Sequence, residues 1–169
     1  DFLLDLALAE DLDTVFTAVL LNSDEDQVAR LLTHPASIVS LSDAGAHLTF
    51  FCDAGFGLHL LGHWVREKAL MPLERAVQKL TSEQAQLFGI QDRGVLREGA
   101  HADLLLFDPA TVGRSGAQRH YDLPGGGSRL LTKAKGVHGV WVNGTLIADA
   151  HGVRSAAGRP GKVLREFAS

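Results

Sequence analysis

One cysteine, one methionine and one tyrosine stand among 169 residues, and no sign of charge dominates, the formal net charge being −4 at neutral pH. The lone Cys52 cannot close an intrachain disulfide, so packing and hydrogen bonds must hold the fold, and a reducing compartment such as the cytoplasm is expected. Lys and Arg are interspersed with acids and form no stripe, which argues against nucleic-acid phosphates and an anionic membrane surface as partners. No apolar run is long enough to cross a bilayer, and the opening Asp1-Phe-Leu-Leu-Asp-Leu-Ala-Leu-Ala-Glu10 lacks the basic leading region of a secretory signal. Methionine is also missing from position 1, where the chain enters directly into an amphipathic helical pattern from Phe2 to Leu12. The expectation is therefore a piece of a longer polypeptide.

A hydrophobic fraction of 46% is enough to bury a real core in one or two globular units. Val15-Phe-Thr-Ala-Val-Leu-Leu21 reads as a buried strand, Asp24 to Leu32 as a helix stopped by Pro35, and Ile38 to Leu41 as a second strand. That succession predicts a βα unit with parallel strands. Helices are expected over about Leu58 to Ala69, from Pro72 with Leu73, Ala76, Val77 and Leu80 inward, and from a Thr81 or Ser82 cap through Phe88 to Gly89. From about Gln91 the texture changes to short strand-like runs punctuated by glycine: Arg93 to Gly99, Ala102 to Pro109, Gly136 to Gly144 and Thr145 to Asp149. Asn143-Gly144 is a hairpin signal. Thr111 to Lys135 reads as an excursion between strands, and the tail Ala156 to Lys162 as irregular.

The chemistry concentrates in Ala36-Ser-Ile-Val-Ser-Leu-Ser-Asp-Ala-Gly-Ala-His47. A carboxylate just beyond an apolar strand stands where α/β barrels and open α/β sheets build their active sites, which makes Asp43 the first catalytic candidate. A structural role as the cap of the following turn is the alternative. His47, four residues on, either lines the same pocket or bonds to loop backbone. His59 and His63 have the spacing to share a metal from one helix face, but the stretch between them lacks a general-base Glu, so packing or surface roles are preferred. Cys52 is read as packing, His138 as structural, and Arg119, His120, Asp122 and Arg129 around Gly125-Gly-Gly127 as part of a solvated linker and not a substrate clamp. The glycines lack the Lys-Ser or Lys-Thr of a phosphate loop.

Taken in order, Ser42-Asp-Ala-Gly-Ala-His47, Leu80-Thr-Ser-Glu-Gln-Ala-Gln-Leu-Phe-Gly89, Gly99-Ala-His-Ala-Asp-Leu-Leu-Leu-Phe-Asp-Pro109, Val142-Asn-Gly144 and Arg159-Pro-Gly-Lys-Val-Leu-Arg165 resemble the C-terminal part of N-acyl-D-amino-acid deacylases (D-aminoacylases) of the amidohydrolase superfamily. The resemblance runs essentially end to end. It implies an α/β fold: the C-terminal strands and helices of a (βα)8 metal-dependent hydrolase barrel over residues 1–90, then a small β-sandwich with its tail over 91–169. It also implies zinc in the intact enzyme and a small N-acyl amino acid as substrate. Asp43 would be the proton-transferring aspartate and a possible metal ligand, with Ser42 and His47 touching substrate or supporting the site. The family's remaining ligands, a His-x-His pair, a bridging or ligating residue and two later single histidines, have no counterpart in residues 1–169. Since zinc needs three or four protein ligands, the isolated chain is expected to be inactive. The alternatives are a cyclic-amide hydrolase of the hydantoinase or dihydroorotase kind, or a non-catalytic piece that self-associates or joins a separate N-terminal part. Exposed strand edges favour such an oligomer.

Overall fold

The computed structural model describes every residue except Thr17, Val19, Leu20, Ala46, Ala168 and Ser169. The chain divides into two compact units, Asp1–His34 and Pro35–Ser169.

The first unit carries α1 (Phe2–Ala9) and α2 (Glu25–Thr33). α2 begins at Asp24 because its carboxylate accepts the Gln27 N–H at 3.1 Å, while Glu25 and Asp26 sit at the positive end of the helix dipole. The strand expected over Val15–Leu21 is not found where the residues are described. Thr17, Val19 and Leu20 lie outside the described residues, whereas Val15, Phe16 and Ala18 belong to no regular element and Val15 is 82% exposed. A strand exists only through a paired edge, and no described residue pairs with this run.

In the second unit the same reason removes the strand expected over Ile38–Leu41, which has no ladder partner among the described residues. Side chains take one carbonyl of this run and one just before it instead: Gln84 Nε2 donates to Val39 O and Lys79 Nζ to Ser37 O, both at 2.9 Å. The second strand of the predicted βα unit is thus replaced by an irregular segment gripped by two helices. Those helices are α4 (Leu73–Leu80) and α5 (Ser82–Leu87), and before them α3 (Phe56–His59) continues into a π-helical stretch, Leu60–Glu67. The wider π turn brings Leu60, Leu61, Gly62 and Trp64 all to the buried side. With Ala76, Ala85 and Val112 they form the apolar core. Thr81 does not cap α5 through its hydroxyl, which donates back to Val77 O at 2.7 Å. No helix among the described residues is long and apolar enough to cross a membrane.

Gly62 is required by close approach. A Cβ there would meet Val112 O at 2.7 Å and Gly113 Cα at 3.1 Å, and that same Val112 carbonyl accepts from the Arg66 guanidinium.

Among the described residues all strands lie from Leu104 onward. β1 (Leu104–Phe107), β6 (Val137–Val142), β7 (Thr145–Asp149) and β8 (Gly152–Val153) make one antiparallel sheet in that spatial order. The β6–β7 hairpin closes at Asn143 and Gly144, with φ of 47° and 79°, over the pair Val142–Thr145. Two consecutive left-handed residues match the twist of the flanking strands, hence Asn-Gly. Two expectations are corrected. Arg93–Gly99 forms turns, with Gly94 and Gly99 at positive φ, and no strand. Thr111–Lys135 is no plain linker, since β2 (Gly113–Arg114) pairs with β5 (Ala134–Lys135) and β3 (Gln118–His120) with β4 (Arg129–Leu131).

Three of the recognisable sequence motifs meet at one node. Asp103 Oδ1 accepts the Asn143 N–H at 2.8 Å and its other oxygen takes the Arg93 guanidinium. Arg93 also donates to Asn143 Oδ1 at 3.1 Å, and Asn143 Nδ2 donates to Pro160 O at 2.7 Å. Burial alone would raise the Asp103 pKa, but the Asn143 N–H and Arg93 outweigh it, and the carboxyl is held below its ordinary value.

Two outcomes are expected. Gly62→Ala gains about 0.5–1 kcal/mol of helix propensity but loses about 1–3 kcal/mol to overpacking against backbone that cannot swing away, so the melting temperature falls. Asp103→Ala costs about 1–3 kcal/mol by denaturant titration. Because Asp103 binds its proton more weakly folded than unfolded, its stabilisation is present above about pH 4 and lost as the pH falls through the depressed value. The acid limb of a stability–pH curve should therefore flatten in the variant.

Candidate functional site

Asp43 follows the segment gripped by α4 and α5. Ser42 is half-buried and its Oγ accepts the Ala44 N–H at 3.3 Å, a local turn that reverses the chain around Asp43. Asp43 itself is exposed, with no hydrogen-bond or ion-pair partner among the described residues. The enclosed pocket expected around it is therefore not formed by these residues. His47 is exposed too, its ring stacked on Phe50 at 4.7 Å, and its carbonyl accepts the Phe50 and Phe51 N–H groups at 3.3 and 3.0 Å.

The loop beyond His47 is tied down from an element that sequence reasoning took for a connection. Leu48 O accepts the Leu130 N–H of β4 at 2.8 Å, and Ala54 O accepts Thr132 Oγ1 at 3.3 Å. Cys52 Sγ lies 3.8 Å from the same Thr132 hydroxyl, so the thiol is part of this seam. Leu130 N is available because Leu130 faces Arg119 across the ribbon at a position where its N–H turns away from β3. No local pattern announces such a contact.

The remaining candidates are accounted for by their neighbours. His59 and His63 stack at 4.8 Å with planes 8° apart, and His63 Nδ1 is 3.2 Å from Glu67 Oε2. The bond from His63, then that from Arg66, holds the Glu67 carboxyl below its usual value. Arg129 makes a two-pronged pair with Asp122 at 2.8 and 2.7 Å, and Arg119 donates to Ser128 Oγ at 2.9 Å, so both arginines brace the glycine-rich turn. Arg129 lowers the Asp122 pKa and is itself raised by it. His138 is exposed on β6.

Open clefts among the described residues include two of several hundred Å³. One, of about 470 Å³, runs between Val39–Leu41 and Phe56, Leu80 and Phe88, and the other, of about 520 Å³, is lined by Ala85, Ile90, Arg93 and Arg97 among others. Neither includes Ser42, Asp43 or His47. Among the described residues no group of three or more His, Cys, Asp or Glu side chains is arranged to hold a metal ion. One carboxylate is short of the three or four donors a zinc site requires, so these residues alone do not fit that metal.

Comparison with known proteins supplies the context. The sequence profile of the amidohydrolase family matches residues 3–148. N-acyl-D-aspartate deacylase of Alcaligenes xylosoxydans xylosoxydans is 36% identical over 151 residues, covering 87% of this chain and 28% of that protein. N-acyl-D-glutamate deacylase of the same organism is 35% identical over 156 residues, 90% of this chain and 29% of that protein. Among solved structures, N-acyl-D-glutamate deacylase of Bordetella bronchiseptica, complexed with zinc and a phosphonate mimic of the tetrahedral intermediate, aligns with a TM-score of 0.62 and 38% identity, over 85% of this chain and 28% of that one. The chain thus spans under a third of the length of these relatives. With most of its residues matched by the profile and by relatives at this identity, the chain belongs to the amidohydrolase family.

Proposed function

We propose that this chain serves in the hydrolysis of N-acyl-D-amino acids, with Asp43 as the group that moves the proton. The observation that carries the reading is Ser42-Asp43-Ala44-Gly45 and His47 standing on an exposed turn inside a span whose relatives act, by name, on N-acyl-D-aspartate and N-acyl-D-glutamate. The carboxylate accepts a proton from water as the oxygen adds to the acyl carbon. It then returns that proton to the nitrogen as the C–N bond breaks, which leaves a carboxylate and a free D-amino acid. With no competing partner among the described residues, Asp43 has its lone pairs available for this transfer. His47 and Ser42 flank it and are assigned to the substrate or to orienting the carboxylate. Cyclic amides are the second substrate class, distinguished by assay.

The Bordetella relative is complexed with zinc, but the residues described here are short of a donor set, so no step is derived through a metal. Further donors must come from other polypeptide. In this reading residues 1–90 contribute to a barrel and 91–169 to a sandwich. The apolar surface left open on β1, where Leu105 and Leu106 are exposed, is covered by that polypeptide or by a second copy.

Three measurements test this. In the full gene product Asp43→Asn should lower kcat for N-acetyl-D-glutamate or N-acetyl-D-aspartate by about 100- to 10,000-fold with the circular dichroism spectrum unchanged, and an active Asn variant rejects the assignment. Turnover of cyclic amides but not of N-acyl-D-amino acids would favour the second class. The 169-residue chain alone, dialysed against zinc and then buffer, should retain much less than one equivalent by elemental analysis.

A further inference from the structure

Lys79 is 1% exposed and is the buried charged side chain among the described residues. An ammonium taken from water is costly unless it is hydrogen-bonded and paired. Here its donors reach Ser37 O at 2.9 Å and, at 3.4 Å, Oε1 of Glu83 in the first turn of α5. Glu83 is fixed in turn, since Arg75 Nη1 donates to its other oxygen at 2.7 Å and to Gln78 Oε1 at 2.8 Å. Gln84 works beside it, with Nε2 shared between Val39 O at 2.9 Å and Lys79 O at 3.1 Å. Helices α4 and α5 thereby hold two carbonyls, two residues apart, on the segment that ends at Asp43.

Asp43 has no partner of its own among the described residues, so its place is inherited from the backbone that leads to it. We propose that Lys79, with Gln84, is a positioning residue for the reaction, setting where the Asp43 carboxylate stands through the Ser37 and Val39 carbonyls. The proposal rests on Asp43 being the proton-transfer group. A carboxylate misplaced by about 1 Å loses on the order of 100-fold in rate, which is the effect a released segment should produce.

The test has two arms. By 15N relaxation on the 169-residue chain, residues 39–43 should be ordered, with order parameters near 0.8, and Lys79→Met should drop them below about 0.6 while β6 and β7 keep theirs. In the full gene product Lys79→Met should lower kcat roughly 100-fold and leave KM within about twofold, and Lys79→Arg, which keeps the donors, should restore most of kcat. If Lys79→Met does not fold, Gln84→Leu carries the same test at Val39. Order parameters unchanged in 39–43, or a change confined to KM, overturn the positioning role. A wild-type gene product without activity on any N-acyl-D-amino acid sinks the deacylase reading instead, whatever the relaxation data show.

Discussion

One carboxylate, Asp103, joins stretches of chain far apart in sequence. It meets Arg93 before the sheet, the Asn143 N–H at the tip of the β6–β7 hairpin and, through the Asn143 amide, the Pro160 carbonyl of the tail. The Gly144 N–H donates to Ala102 O at 2.9 Å beside it. Without Asp103 the hairpin turn would lose the acceptor for its Asn143 N–H, and an Arg only 14% exposed would lose its counter-charge. Recognisable motifs at Ala102-Asp103, Asn143-Gly144 and Arg159-Pro160 are thus structural residues solving one packing problem, not separate pieces of chemistry.

Asp43 is the opposite case. The carboxylates of Asp103, Asp108, Asp122 and Asp149 are each held below their ordinary pKa by nearby donors: the Asn143 N–H and Arg93, the Ala110 N–H and Thr111, Arg129, and the His151 N–H and Arg154 in turn. They are committed to the fold. Asp43 has no such partner among the described residues, and a carboxylate on a tight turn with spare acceptor capacity is suited to exchange protons with a ligand. Its surroundings nevertheless are not loose. Side chains of α4 and α5 grip the segment before it, and β4 holds the loop after it. The carboxylate of the proposed reaction is thus flanked on both sides by anchored backbone, while among the described residues its oxygens have no hydrogen-bond partner.

Legibility followed the range of the interaction. α2, with Asp24 as its cap, and the Asn143-Gly144 hairpin rest on contacts within a few residues, and both could be read directly. Ile38–Leu41 has strand composition, but composition says only that a run would suit a sheet; pairing partners decide whether it enters one. Lys79 falls on the inner side of α4 although its type belongs to water, because the buried ammonium finds a carbonyl and a carboxylate waiting. The ribbons inside Thr111–Lys135 escaped notice since two- and three-residue strands carry no periodicity.

The sequence by itself determined the helices and turns whose caps and φ preferences are local, the family through motifs spread along its length, and Asp43 as the residue to examine. Only the tertiary structure decided that Asp43 stands in the open, that Lys79 and Gln84 take over the backbone acceptors of the segment leading to it, and that β4 anchors the loop of His47. The division has a plain cause: a cap is satisfied within one turn of chain, whereas a buried carbonyl accepts whichever donor the fold brings near, and that donor can be forty residues away.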